Sequence, residues 1–169
     1  MNEPLVDTIY EDPRWESCGL AALAQTAAVA TLTALGLPVQ GYSLCLMGCD
    51  DARIKDLNAE FRAKGQPTNV LSWPAEDHVT RQPGTLPDLP RPGDADDAEE
   101  LGDIAIAYDT CALEAAHQGK TLDAHVTHLI VHGILHLLGF DHIDDADADL
   151  MEATEVRILA SLGVADPYS

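Results

Sequence analysis

From His132 to His142 the chain reads His132-Gly133-Ile134-Leu135-His136-Leu137-Leu138-Gly139-Phe140-Asp141-His142, an H-x3-H-x2-G-x2-H run. If its histidines are to meet, few backbone paths satisfy that spacing. Residues four apart on a helix lie one turn apart on one face. The run therefore predicts a helix carrying His132 and His136. Gly139 ends it in a left-handed conformation, and the chain then turns back to present His142 to the same point. Three imidazoles converging with room for a fourth ligand describe a catalytic zinc site, whereas a closed structural site takes four protein ligands, mostly cysteines. None of the four cysteines (Cys18, Cys45, Cys49, Cys111) lies near this run.

Metzincin proteases use the same ligand frame with a Glu beside the first His as general base. Here that position is Gly133. The metal frame is present and the protease base is absent, which ranks peptide hydrolysis last among the readings. Two more histidines fall on the same helix. His128 is one turn before His132 and faces the same way; it either supports the ligands or touches substrate, or it is a polar residue at the pocket rim. His125, a further turn back, is expected on the surface. Asp141 either orients a ligand histidine by accepting its free N–H or is one more loop carboxylate beside Asp144 and Asp145.

Charge narrows the partners. Nine Lys and Arg against 29 Asp and Glu give a net charge of −20. That excludes general attraction to nucleic acid or anionic lipid, though not a local basic patch. Four of the nine basic residues, Arg53, Lys55, Arg62 and Lys64, fall within twelve positions. They either bind phosphates, with Arg as a bidentate fork, or form a solvated helix face that offsets Asp50, Asp51, Asp56 and Glu60.

A length of 169 residues fits one domain with a sizeable core. Strands are expected at 5–10, 42–47, 69–73 and 104–108, the last entered through Gly102-Asp103. Helices are expected from Pro13 to about Leu35, from Asp50 or Asp51 to about Ala63, from Asp109 or Thr110 to about Gln118, from near Thr121 through His136, and from about Asp145 to Leu162. The fold class is α+β, a small mixed sheet of about four strands covered by about five helices. No charge lies between Glu16 and Asp50. The stretch is rich in Ala and Thr, contains Gln25 and breaks at Gly36-Leu37-Pro38, which suits a helix packed on a sheet better than a membrane span. The N-terminus opens with acids and no basic region, and the cysteines form no CxxC pair; a cytoplasmic protein with reduced thiols is expected. Residues 75–100 hold Pro83, Pro87, Pro90 and Pro92 and end in the acidic run Asp94 to Glu100. They predict a mobile surface loop between two strands.

Leu57 to Pro74, then Leu101 to Ile104, then His132 to His142, resemble the YbeY family of bacterial endoribonucleases and rRNA maturation factors. The blocks occur in the family's order and span residues 45 to 160 or so. The resemblance implies a zinc ion held by His132, His136 and His142, and Arg62 near the metal pocket acting on RNA phosphate. It also implies processing of the 3′ end of 16S rRNA and small-subunit quality control, with small-subunit ribosomal proteins and a ribosome-associated GTPase as partners. Trp73 stands where Phe is usual, Phe140 where Tyr is usual, and the 75–100 loop is longer than typical. The expected chemistry is metal-assisted cleavage of single-stranded RNA, with no general base identified and the RNA's own 2′-hydroxyl a candidate nucleophile. The rival reading is a non-catalytic zinc-containing ribosome assembly factor.

Overall fold

The structure, a computed structural model, describes residues 5–62, 68–75, 83–94 and 96–168, the side chains of Phe61 and Arg62 excepted. Four strands, β1 (Val6–Tyr10), β2 (Tyr42–Cys49), β3 (Val70–Pro74) and β4 (Glu99–Ala107), form one sheet in the order β1-β2-β4-β3. β1 and β4 run parallel to β2, and β3 pairs antiparallel with β4 at the edge. Six helices occur among the described residues: α1 (Arg14–Ser17), α2 (Leu20–Ala34), α3 (Asp51–Arg62), α4 (Tyr108–His117), α5 (Leu122–Leu137) and α6 (Asp145–Ser161). This is the α+β architecture expected, with a mixed four-stranded sheet.

Alternation along β4 divides the core between the two faces of the sheet, as the period of two requires. Ile104 and Ile106 join the larger cluster, with Leu44 and Leu46 of β2 and the buried sides of α2, α5 and α6. Ala105 and Ala107 join the smaller one, with Cys49, Leu71 and the α3 residues Ile54 and Leu57. The central helix is α5. It packs on β3 and β4 and is flanked by α2, α4 and α6, so its one uncovered stripe has a fixed outlook.

Several boundaries differ from expectation for identifiable reasons. The first helix is two, because Gly19 takes φ 75° between α1 and α2, which raises the helix total to six. β4 starts at Glu99 rather than Ile104: the amides of Gly93 and Glu99 both bond the Gly41 carbonyl, and Glu99 pairs with Tyr42. The acids at 99, 100 and 103 hide that part of the strand from a hydrophobic pattern. Gly102 lies inside β4, where a Cβ would collide with the Trp73 carbonyl. The residue capping α4 is Ala107, not Asp109 or Thr110. Thr110 instead gives its N–H and hydroxyl to the Asp51 carboxylate at 3.0 and 2.8 Å, joining α4 to the first turn of α3.

The described part of the 75–100 segment is tied to the body. The Tyr42 hydroxyl donates to the Pro90 carbonyl at 2.6 Å, and the Gly84 N–H donates to Asp147 Oδ1 at 2.9 Å. Residues 76–82 and Ala95 lie outside the described residues. Among those described, no helix is long and apolar enough to cross a membrane; the uncharged α2 is spent on β1, α5 and α6.

Trp15 anchors the chain before α2. It is fully buried, donates from Nε1 to the Cys49 carbonyl at 2.9 Å and meets Tyr108 edge to face at 5.1 Å. Gly48 makes room for it: a Cβ there would lie 2.5 Å from Trp15 Cδ1. Overpacking of this kind typically destabilises by about 1–3 kcal/mol. Gly48→Ala is predicted to lower the unfolding free energy by that amount, read as a lower urea midpoint at an unchanged slope. A wild-type midpoint would show that the indole is not locked in place.

Candidate metal centre

Thr121 opens α5, its Oγ1 accepting from the Ala124 N–H at 3.1 Å. Along the helix, His128, His132 and His136 recur every four residues on the stripe that the core leaves partly open. The helix closes in a Schellman turn. Gly139 takes φ 104°, its N–H reaches the His136 carbonyl at 3.1 Å, and the Phe140 N–H reaches the Leu135 carbonyl at 2.9 Å. Phe140 plugs into the core and the chain reverses, bringing back the exposed His142. The ring centroids of His132, His136 and His142 lie 4.6, 5.3 and 5.0 Å apart, and one ring nitrogen from each falls within 4.8 Å of the others.

The donor set fits a divalent transition metal. His132 Nδ1 donates to Glu155 Oε1 at 2.7 Å, and His136 Nδ1 donates to the Phe140 carbonyl at 3.0 Å. With both Nδ1 protons committed, both Nε2 atoms present lone pairs, and these two atoms are 3.1 Å apart. Such a pair is satisfied by a shared proton or by a metal cation held between the two nitrogens. A tetrahedral zinc about 2.0–2.1 Å from each nitrogen would set them roughly 3.3 Å apart. Burial, and then the neighbouring His132 and His142, push the His136 pKa down to about 4, so this ring is neutral and able to ligate at any ordinary pH.

Glu155 is the residue that sequence reasoning missed. It is fully buried on α6. Its Oε1 takes His132 Nδ1 at 2.7 Å and His128 Nε2 at 3.3 Å, and its Oε2 takes the Tyr168 hydroxyl at 2.6 Å. Burial raises its pKa, but the hydrogen bonds from His128, His132 and Tyr168 outweigh that and hold it down at about 2. The signal was present: Glu155 lies four residues after Met151 and four before Leu159, a carboxylate on the stripe that faces the core.

The other candidates fall as follows. Asp141 accepts the backbone N–H of His142 at 2.7 Å, while the ring N–H groups of His132 and His136 go to Glu155 and the Phe140 carbonyl. His128 bonds Glu155 and lines the pocket. His125 is not on the surface. It is 3% exposed and its Nε2 meets Glu114 Oε1 at 3.0 Å, the same carboxylate that accepts Asn69 Nδ2. Arg62 closes α3, one turn beyond Asn58, which lines the pocket; the Arg62 side chain and Lys64 lie outside the described residues. Arg53 pairs with Glu11 at 3.2 Å, in keeping with a charge-offsetting helix face.

The histidines open into a cavity of about 500 Å³ between α5, the start of β3 and α3, within the usual range for small-ligand sites. Gly133 forms part of its wall. A Cβ there would lie 3.0 Å from Ile104 Cδ1, so α5 seats close on β4 at the position where a protease carries its base, and a side chain there would need Ile104 to shift.

A family model described as Endoribonuclease YbeY matches residues 11–163 of the chain. The chain is 63% identical over 166 residues to a protein of Cereibacter sphaeroides named Endoribonuclease YbeY, covering 98% of this chain and 99% of that one. A protein of the same name from Jannaschia sp. is 56% identical over 163 residues, covering 96% and 99%. The fold resembles the solution structure of TM1509 from Thermotoga maritima, with a TM-score of 0.54 at 18% identity over 97% of this chain and 99% of that one.

Proposed function

The chain belongs to the YbeY endoribonuclease family, and on that premise we propose that it is a zinc-dependent endoribonuclease that cuts single-stranded RNA. Its place is the maturation of the 16S rRNA 3′ end and quality control of the small ribosomal subunit in the cytoplasm. The observation that carries the reading is the convergence of His132, His136 and His142 with the Nδ1 protons of the first two already committed. One zinc ion held there supplies Lewis-acid stabilisation of negative charge on a phosphate oxygen.

The chain's own residues do the rest. Glu155 and the Phe140 carbonyl fix the ring planes and tautomers of His132 and His136, so no reorganisation is needed as charge develops. Gly133 stands where a protease carries its glutamate, and Glu155 is committed to the rings of His128 and His132, so proton removal from the nucleophile, water or the RNA's own 2′-hydroxyl, falls to another group. A 2′,3′-cyclic phosphate product identifies internal attack, and a 5′-phosphate identifies water. Arg62, at the end of the helix that borders the pocket, supplies a guanidinium for the phosphate. At a net charge of −20, extended contact with bare RNA is unfavourable, so ribosomal proteins of the small subunit and a ribosome-associated GTPase deliver the substrate.

Chelation should abolish cleavage of a single-stranded oligoribonucleotide, and added zinc should restore it. Arg62→Glu should lower the cleavage rate by about 100-fold or more, the scale of losing one charge-stabilising donor, with zinc content unchanged. Full activity in metal-free protein would sink the zinc reading. Wild-type rates in Arg62→Glu would remove the phosphate role.

A further inference from the structure

The pocket has one wall that the chemistry above leaves unused. Tyr168 lines the same cavity as the three histidines and is 47% exposed. Among the described residues it is the one aromatic side chain left this open, in a chain only 5% aromatic. Its position is fixed from both ends. The hydroxyl donates to Glu155 Oε2 at 2.6 Å, the backbone N–H donates to Asp166 Oδ1 at 2.8 Å, and the ring stands edge to face with His128 at 5.6 Å and 87°.

An exposed ring held this firmly is unusual, because a tyrosine that merely covered Glu155 would gain by burying its ring as well. Rigid aromatic surface beside a phosphate-handling centre is what unpaired nucleobases bind. Every base offers a π face, so stacking selects unpaired strands without selecting sequence. A base held in a duplex cannot present that face. Resting on the reading of the pocket as an RNA-cleaving site, we propose that Tyr168 is its base-stacking residue. It positions one unpaired nucleobase of the substrate next to the histidine cluster, with Glu155 as the anchor of its hydroxyl.

Ring and hydroxyl can be separated. KM and kcat for a single-stranded oligoribonucleotide would be measured at saturating zinc for wild type, Tyr168→Leu and Tyr168→Phe, with zinc content and thermal midpoint for each. Tyr168→Leu should raise KM about 5- to 150-fold, the range of one lost base–aromatic stack, with kcat changing far less. Tyr168→Phe keeps the ring and should keep KM near wild type, while its zinc affinity falls because Glu155 loses a donor. In a series of oligonucleotides with one abasic position moved along the strand, one member should raise KM for wild type and leave KM for Tyr168→Leu unchanged.

A wild-type KM in Tyr168→Leu overturns the proposal. So does a Phe variant as weak as the Leu variant, which would assign the whole effect to the hydroxyl. A wild-type enzyme that cuts no RNA would instead overturn the endoribonuclease reading on which the proposal rests.

Discussion

His136→Ala should fold and carry almost no zinc. The ring it removes borders the pocket and the core, and pocket water can fill the space it leaves beside the buried Phe140. The metal has no such substitute. His132 and His142 remain, with ring centroids 5.3 Å apart, and two imidazoles do not hold zinc against ordinary competitors. Loss of a supporting residue around a metal site lowers affinity by about 10–100-fold; loss of a ligand should exceed that, and RNA cleavage should fall with it. Metal analysis per chain beside near-ultraviolet circular dichroism gives the answer. One zinc per chain with wild-type cleavage would place the metal elsewhere.

Glu155→Gln is predicted to weaken zinc binding about 10–100-fold while leaving all three ligands in place. Glutamine keeps the shape and one acceptor for His132 Nδ1, but it removes the negative charge on which His128, His132 and Tyr168 converge. The same charge has a signature in the metal-free protein. Its folded pKa of about 2 lies below the ordinary 4.5, so the unfolded chain takes up the proton first as pH falls. The stabilisation is complete above pH 4.5 or so and is lost progressively towards pH 2. The difference amounts to about 3 kcal/mol. Urea midpoints of wild type and Glu155→Gln should therefore converge between pH 5 and pH 2. Parallel curves would mean that Glu155 is not held ionised by its neighbours.

These two residues also mark how far the sequence could be read. His136 was legible because its partners are local: a four-residue repeat, then a glycine turn whose geometry is set within one helical turn. The four strands followed from alternation and turn residues, whereas the order β1-β2-β4-β3 has no local signal. Glu155 was not legible as part of the site, since its 13–27-residue separation from Tyr168 and His128 is closed only when α6 docks on α5. His125 reads as polar and peripheral until α4 supplies Glu114 to satisfy it in the interior. The early part of β4 was hidden for the opposite reason, because acids stand at its solvent-open positions, Glu100 and Asp103 being exposed. Local periodicity located the ligands; only tertiary packing reveals what holds them.

Gly133 bears on more than the fit of one helix against one strand. A histidine frame of this kind serves peptide hydrolysis when a carboxylate stands beside the first ligand, and here the helix carries a glycine at that place. With nothing but hydrogen on Cα133, α5 settles close to β4, and a Cβ there would ask the Ile104 side chain to give by a few tenths of an ångström. A change at 133 is thus felt by the layer beneath it as well as by the pocket: one position sets both the seating of the histidine-bearing helix and the groups available beside the histidines.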